Sequence, residues 1–155
     1  AIAYLREAAM MDLRDLEHNT KDGVHIASLA GTWLALVAGF GGLRDHGGRL
    51  TLHPQLPDHW DALTFRLRWR EAQLKVSVRR DGVTYELIGD DVKQLDFVEC
   101  DETVTVKKGK PLKRPLANIA PLTPRPEQPA GRPPTVDDDD DEELSENPPD
   151  RKVDD

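Results

Sequence analysis

The side chains of this chain with the most chemistry in them are five histidines, a group of neighbouring carboxylates and one cysteine, and their spacing limits what they can do. His18, His25, His46, His53 and His59 include no i,i+4 pair of the kind that grips zinc from one helix face, and Cys100 has no second cysteine to pair with. No metal site is expected, and no intrachain disulfide can form. Asp12, Asp15, Glu17 and Asp22 lie close in sequence and are the candidates for paired-carboxylate acid–base work, against the plainer reading of a solvated helix face. Neither a Ser-His-Asp order, a glycine-rich phosphate loop nor a GxSxG elbow is present. His25 differs in context. It follows the turn Thr20-Lys21-Asp22-Gly23 and opens an apolar helix, where free backbone N–H groups and the positive end of the helix dipole favour an anion. On physical grounds two uses stay open: an imidazole donating to a bound anion, or one satisfied by a neighbouring backbone group.

The elements that position these residues follow from hydrophobic periodicity. Leu5, Ala8, Ala9, Asp12 and Leu16 fall at helical spacing and predict a helix over residues 1–18, closed by Asn19. Asn19 to Gly23 reads as a polar turn, with Asp22 placed to cap the next helix. That second helix, about Val24 to Gly39, is apolar nearly all round: Ile26, Leu29, Trp33, Leu34, Leu36, Val37 and Phe40 cover more than one face, so burial on several sides is expected. Residues 1–18 supply one partner only, and the pattern therefore predicts further helices upstream. At about fifteen residues the run Ile26–Phe40 is short for a bilayer span of roughly twenty, and no membrane association is expected.

Phe40-Gly41-Gly42 breaks the helix, and the period then changes from 3.6 to 2. Leu50 and Leu52, then Leu63, Phe65, Leu67 and Trp69, then Leu74, Val76 and Val78, then Val83, Tyr85 and Leu87 alternate with polar neighbours, each as a half-buried strand. Asp81-Gly82 between two such runs predicts a tight hairpin with positive φ at both central residues. Leu95–Phe97 and Val104–Val106 are weaker strands, and five or six strands in all predict an antiparallel sandwich or open barrel.

Charge is distributed unevenly. Residues 137–155 hold eleven acidic side chains against Arg151 and Lys152, a net of −9, so the total of −8 leaves +1 for residues 1–136. A nearly neutral body lacks the footprint of a nucleic-acid binder. Nine of the twelve prolines fall at or after Pro115, and proline-rich then acidic sequence buries too little apolar area to offset its ordering entropy, so residues 115–155 are expected to be a disordered tail. The opening Ala-Ile-Ala-Tyr-Leu-Arg-Glu has neither an initiator Met nor a signal-type run, which reads either as a start cut away or as a fragment, and the expected compartment is the cytoplasm. Trp33 and Trp60 are expected to pack between helix and strands rather than to stack on sugar, and Arg66, Arg68 and Arg70 to form a solvated strand face.

The run from Asp15 through Asp22-Gly23-Val24-His25 to Ala30-Gly31-Thr32-Trp33 resembles the last barrel hairpin of glycoside hydrolase family 65. Phe40-Gly41-Gly42, the run Leu50 to Trp60 with its Leu56-Pro57, and Phe65-Arg66-Leu67 with Trp69-Arg70 are similar to the start of that family's carboxyl-terminal β-domain. The resemblance covers roughly residues 1–110 and is specific by the order of its motifs. It implies an α+β fragment: residues 1–42 ending an (α/α)6 catalytic barrel, residues 43–114 forming a small antiparallel β-sandwich, and residues 115–155 without counterpart.

The resemblance further implies an inverting reaction on an α-glucosyl disaccharide, either phosphorolysis or hydrolysis, in an enzyme of maltose, trehalose or related carbohydrate metabolism. A glutamic acid protonates the glycosidic oxygen while inorganic phosphate, the co-substrate of a phosphorylase, attacks the anomeric carbon from the opposite face; a hydrolytic relative activates water with a carboxylate base. That acid lies upstream of anything matched here, so no catalytic residue is assigned in this chain, which is expected to be inactive alone. His25 matches the family's histidine near the phosphate and is the single phosphate-binding residue assigned; Lys21 and Ser28 receive no role. No cofactor is expected. The expected partners are the disaccharide, phosphate, the missing upstream barrel and, as one option, a second copy in a homodimer. The competing class is a free-standing β-sandwich module for oligomerisation or carbohydrate binding.

Overall fold

The computed structural model describes residues 2–16 and 18–117 and divides at Thr32/Trp33 into a helical unit and a β-rich unit. The tail assigned to residues 115–155 lies outside the described residues from 118 onward; Pro115, Leu116 and Ala117 belong to no helix or strand.

In the helical unit, α1 runs Ile2–Met10 and a single 3₁₀ turn spans Thr20–Asp22; α2, Ile26–Leu34, begins there and ends two residues into the second unit. The helix expected over residues 1–18 therefore stops eight residues early. Its continuation is a series of turns, in which Asp15 and His18 take the left-handed conformation at φ 48° and 55°. Aspartate is a poor helix-interior residue because its carboxylate competes for nearby donors, and here Asp12 and Asp15 both leave the helical path to bond forward in the chain. Asp22 does not cap α2, since it sits exposed in the 3₁₀ turn and α2 begins four residues later.

The second predicted helix is present but changes character along its length. Ile26–Leu34 is α-helical and Ala35–Phe40 widens into a π-turn, a rare geometry in which the chain gains one residue per turn. None of the α2 side chains is buried, contrary to the expected burial on all sides: Ile26 is 67 % exposed, Leu34 54 % and Trp33 50 %. The packing partners that its apolar surface calls for are not among the described residues.

From Trp33 onward the second unit builds its own core. Among its described residues are eight strands: β1 Arg44–His46, β2 Arg49–Leu52, β3 Ala62–Trp69, β4 Ala72–Arg79, β5 Gly82–Ile88, β6 Gln94–Glu99, β7 Glu102–Lys107 and β8 Leu112–Arg114. They form two four-stranded sheets, ordered β1-β2-β6-β7 and β3-β4-β5-β8. The alternation read from the sequence puts Leu63, Phe65, Leu74, Val76, Val78, Val83, Tyr85 and Leu87 inside, joined by Leu50, Leu52, Phe97 and Val106 from the facing sheet. The rings of Tyr85 and Phe97 meet across the sheets at 4.9 Å between centroids, tilted by 58°.

Three strand-level expectations are corrected. β1 and β8 were not foreseen, because Arg44-Asp45-His46 has no apolar residue and Leu112–Arg114 only one. The sandwich is not wholly antiparallel: β2 pairs with β6 in parallel, Thr51 beside Val98, because β3, β4 and β5 build the other sheet before the chain returns. The β4–β5 turn is centred on Arg80-Asp81, opposite the paired Arg79 and Gly82, and neither central residue has positive φ. Gly82 is needed for a different reason, since a Cβ there would stand 2.5 Å from the Arg114 carbonyl oxygen. The two-residue turn with positive φ at both positions lies elsewhere, at Cys100 (46°) and Asp101 (69°) between β6 and β7.

The motifs flanking the domain change also have a structural role. Gln55 N–H donates to the Phe40 carbonyl at 2.7 Å and His53 N–H to that of Gly42 at 3.3 Å, while the rings of Phe40 and Trp60 stand 5.3 Å apart. Gly41 lies against the Phe65 ring, which a Cβ would approach to 2.7 Å, and Gly42 is left-handed at φ 63°. Phe40-Gly41-Gly42 and the segment from Leu52 to Trp60 thus form one seam that seats the π-turn, through buried Val37, on the sandwich. Trp60 packs as expected; half-exposed Trp33 does not.

Candidate functional site

The loop between α1 and α2 is held by two carboxylates three residues apart. Asp15 accepts hydrogen bonds from the Thr20 backbone N–H at 2.9 Å and the Thr20 hydroxyl at 2.6 Å. Asp12 accepts from the backbone N–H of His25, 2.9 Å to Oδ2 and 3.1 Å to Oδ1, and its Oδ1 also lies 2.5 Å from His25 Nδ1. The segment carrying the 3₁₀ turn is thereby pinned near its start and at its end, where the His25 carbonyl accepts the first helical bond from Leu29 N–H. The solvated-face reading of these carboxylates is corrected for Asp12 and Asp15: the Asp12 side chain is only 13 % exposed, and both are engaged. Asp22 is exposed, and Glu17 lies outside the described residues.

These contacts set the protonation states. The hydrogen bond from the His25 ring holds the Asp12 carboxyl below the usual carboxylate range, with the backbone bond from His25 acting the same way. Asp15 is lowered likewise by the hydroxyl and backbone donors of Thr20. With Asp12 ionised, Nδ1 of His25 carries the proton and donates it, which directs the ring's remaining chemistry to Nε2. The His25 side chain is 31 % exposed, and among the described residues no hydrogen bond engages Nε2. The anion that meets the His25 backbone N–H is thus the chain's own Asp12 carboxylate, a contact that spacing alone did not reveal.

The other residues singled out from the sequence are dispersed. Lys21 is exposed; the Ser28 carbonyl accepts from the Thr32 hydroxyl at 2.9 Å, an intrahelical bond. His18, His46 and His59 are exposed, and among the described residues no group of three or more His, Cys, Asp or Glu side chains gathers. No described helix is long and apolar enough to cross a membrane. Arg66, Arg68 and Arg70 are exposed as expected, with the Arg70 guanidinium 5.6 Å from the Trp69 ring centroid.

A second polar constellation lies within the sandwich. Glu99 is 3 % exposed; it accepts from the Tyr85 hydroxyl at 2.9 Å and from Arg114 Nε at 2.7 Å, and Arg114 also bonds Glu102. Burial and the adjacent Glu99 charge push the Tyr85 hydroxyl well above its ordinary pKa, and the two carboxylates raise that of Arg114. A neutral phenol and a guanidinium around one buried carboxylate satisfy it while stapling β6 to β5 and β8 of the other sheet. Its signal was available, because Leu95, Phe97 and Glu99 are in phase and place an acid on the core face. Beside it, burial raises the Cys100 thiol.

Two family models match the chain. The family model described as the glycosyl hydrolase family 65 central catalytic domain matches residues 1–34, and that of the family's C-terminal domain matches residues 43–106. An uncharacterized glycosyl hydrolase of Mycobacterium leprae is 49 % identical over 84 % of this chain and 16 % of its own length. An α,α-trehalose phosphorylase of Thermoanaerobacter brockii is 36 % identical over 71 % of the chain and 14 % of its own length. Among solved structures, a provisionally named kojibiose phosphorylase from the human microbiome superposes with a TM-score of 0.64 at 26 % identity, over 76 % of this chain and 17 % of that one. The chain thus spans about one sixth of the length of the relatives it matches.

Proposed function

The chain belongs to glycosyl hydrolase family 65, and from that premise we propose that it is the carboxyl-terminal part of an inverting α-glucoside phosphorylase or hydrolase. Residues 1–42 close an (α/α)6 barrel in this reading, and residues 43–114 form the domain behind it. Two features support the arrangement: the exposed apolar surface of α2, which a barrel of further helices would cover, and the family names of the relatives. The proton donor to the glycosidic oxygen comes from outside this chain, which is inactive alone. Its contribution to the chemistry is His25.

The observation that carries this reading is the state of the His25 ring. Its Nδ1 is committed to Asp12 and its Nε2 is unengaged among the described residues, at a helix start where negative charge is favoured. As an imidazolium, with Nδ1–H on Asp12, such a ring donates Nε2–H to an anion, and inorganic phosphate is the anion that a phosphorylase must hold opposite the leaving sugar. The substrates are an α-glucosyl disaccharide and phosphate, and the product is β-glucose 1-phosphate. The test is disaccharide consumption by the full-length protein with and without inorganic phosphate. Phosphate-dependent release of glucose 1-phosphate, with the apparent phosphate KM raised at least about tenfold in His25→Ala, is the expected result. Phosphate-independent hydrolysis would assign the protein to the hydrolytic branch and remove the role given to His25.

A further inference from the structure

We propose that Asp12 is the positioning residue of the anion site, holding Nδ1–H and with it the direction of the His25 ring so that Nε2–H of the imidazolium faces the anion. The inference rests on the phosphate role proposed for His25. Its basis is the number and kind of contacts: one carboxylate holds both the backbone N–H and the ring Nδ1 of a single residue, at 2.9 and 2.5 Å. A contact that served only to finish the helix start would need the backbone bond alone, because the orphan donors of a helix N-terminus are main-chain groups. The bond to Nδ1 adds something that the helix does not require. It removes rotation about the ring's attachment, keeps a proton on Nδ1, and leaves Nε2 outward, where the second proton of the imidazolium meets the anion; a carboxylate partner orients metal-binding histidines by the same contact.

The surrounding loop makes this placement rigid. Asp12 follows α1 through irregular turns and is brought to His25, thirteen residues later, by a chain that Asp15 ties to Thr20 at an intermediate point. Asp15 and His18 take the left-handed conformation, at φ 48° and 55°, where the chain turns between Asp12 and His25. Asp12 itself needs no contact with phosphate. It acts through the ring.

The test uses the full-length protein with Asp12→Asn, Asp12→Ala, His25→Ala and the double variant, reading the apparent KM for inorganic phosphate and for disaccharide separately. Asp12→Asn retains an acceptor for the backbone N–H but loses the charge. The expected result is a phosphate KM raised about tenfold or more in both Asp12 variants, the lower range for losing a partner that orients a ligand-binding histidine. The disaccharide KM should stay within about twofold, and adding Asp12→Ala to His25→Ala should cause no further loss. A raised phosphate KM in His25→Ala with unchanged values in both Asp12 variants overturns the positioning role while leaving the phosphate site standing. An unchanged phosphate KM in His25→Ala overturns the site and this inference together. Should the Asp12 variants not fold, the ¹⁵N chemical shifts of the wild-type His25 ring decide: a protonated Nδ1 supports the proposal, and a neutral ring protonated only at Nε2 overturns it.

Discussion

The two units of the molecule handle apolar surface in opposite ways. Between β2 and β7, nearly every inward residue of the sandwich finds a partner within the same unit: Leu52, Leu74, Val76, Val78, Tyr85 and Val106 have no measurable exposure. In α2 no residue is buried, although Ile26 and Leu29 of the helical unit are strongly apolar. Hydrophobic content therefore does not decide burial. A β-sheet pair presents two complementary faces and can close a core by itself, whereas a single helix, apolar on several sides, needs further elements to cover it. The site sits in the second kind of region, where order comes from carboxylate clamps rather than from a packed core.

This contrast can be broken most severely inside the sandwich. Leu74→Ala, at a fully buried position, should lower the unfolding free energy of the β-unit by about 2–5 kcal/mol, measured by urea denaturation. A loss below about 1 kcal/mol would mean that the sandwich does not own its core. Tyr85→Phe should cost less, about 1–3 kcal/mol, because it removes one donor from buried Glu99 while keeping the ring packed against Phe97. The companion readout is thermal unfolding, and no change would show that Arg114 alone satisfies the acid.

The loop should respond to acid before the sandwich core does. Asp12 and Asp15 have folded pKa values below those of the unfolded chain, so they stabilise the loop fully above pH ~4, the unfolded carboxylate range. That stabilisation is lost as pH falls through their lowered folded values. A ¹³C-carboxyl titration by NMR should give both residues midpoints below those of exposed aspartates, and ordinary midpoints would dissolve the clamp. The smallest effect is expected on α2. Ile26→Ser should change the stability of this 155-residue chain by no more than about 0.5 kcal/mol, because Ile26 is two-thirds exposed. In the full-length protein the same change should cost substantially more, by the same urea measurement, if further helices cover that face.

Much of the β-unit was legible because a strand's side chains alternate with period 2 whatever the sheet order, so inward positions from Leu63 to Leu87 could be assigned without knowing their partners. The parallel pairing of β2 with β6 could not, since it depends on which sheet each successive hairpin joins. Likewise Asp81-Gly82 announced a turn but not its register. Gly82 is glycine because the Arg114 backbone passes over it, a neighbour 32 residues away. Local sequence encodes local conformational preference; it does not encode what approaches from a distance.

For the candidate site the division is sharper. The order of motifs and the placement of His25 at a helix start were properties of the sequence alone, because helix periodicity and turn chemistry are local. That Asp12 would turn back onto His25, and Asp15 onto Thr20, was a property of the tertiary path through a loop with no period to read. A carboxylate's partner is chosen by the position of the nearest donor in space, and only the folded chain sets that position.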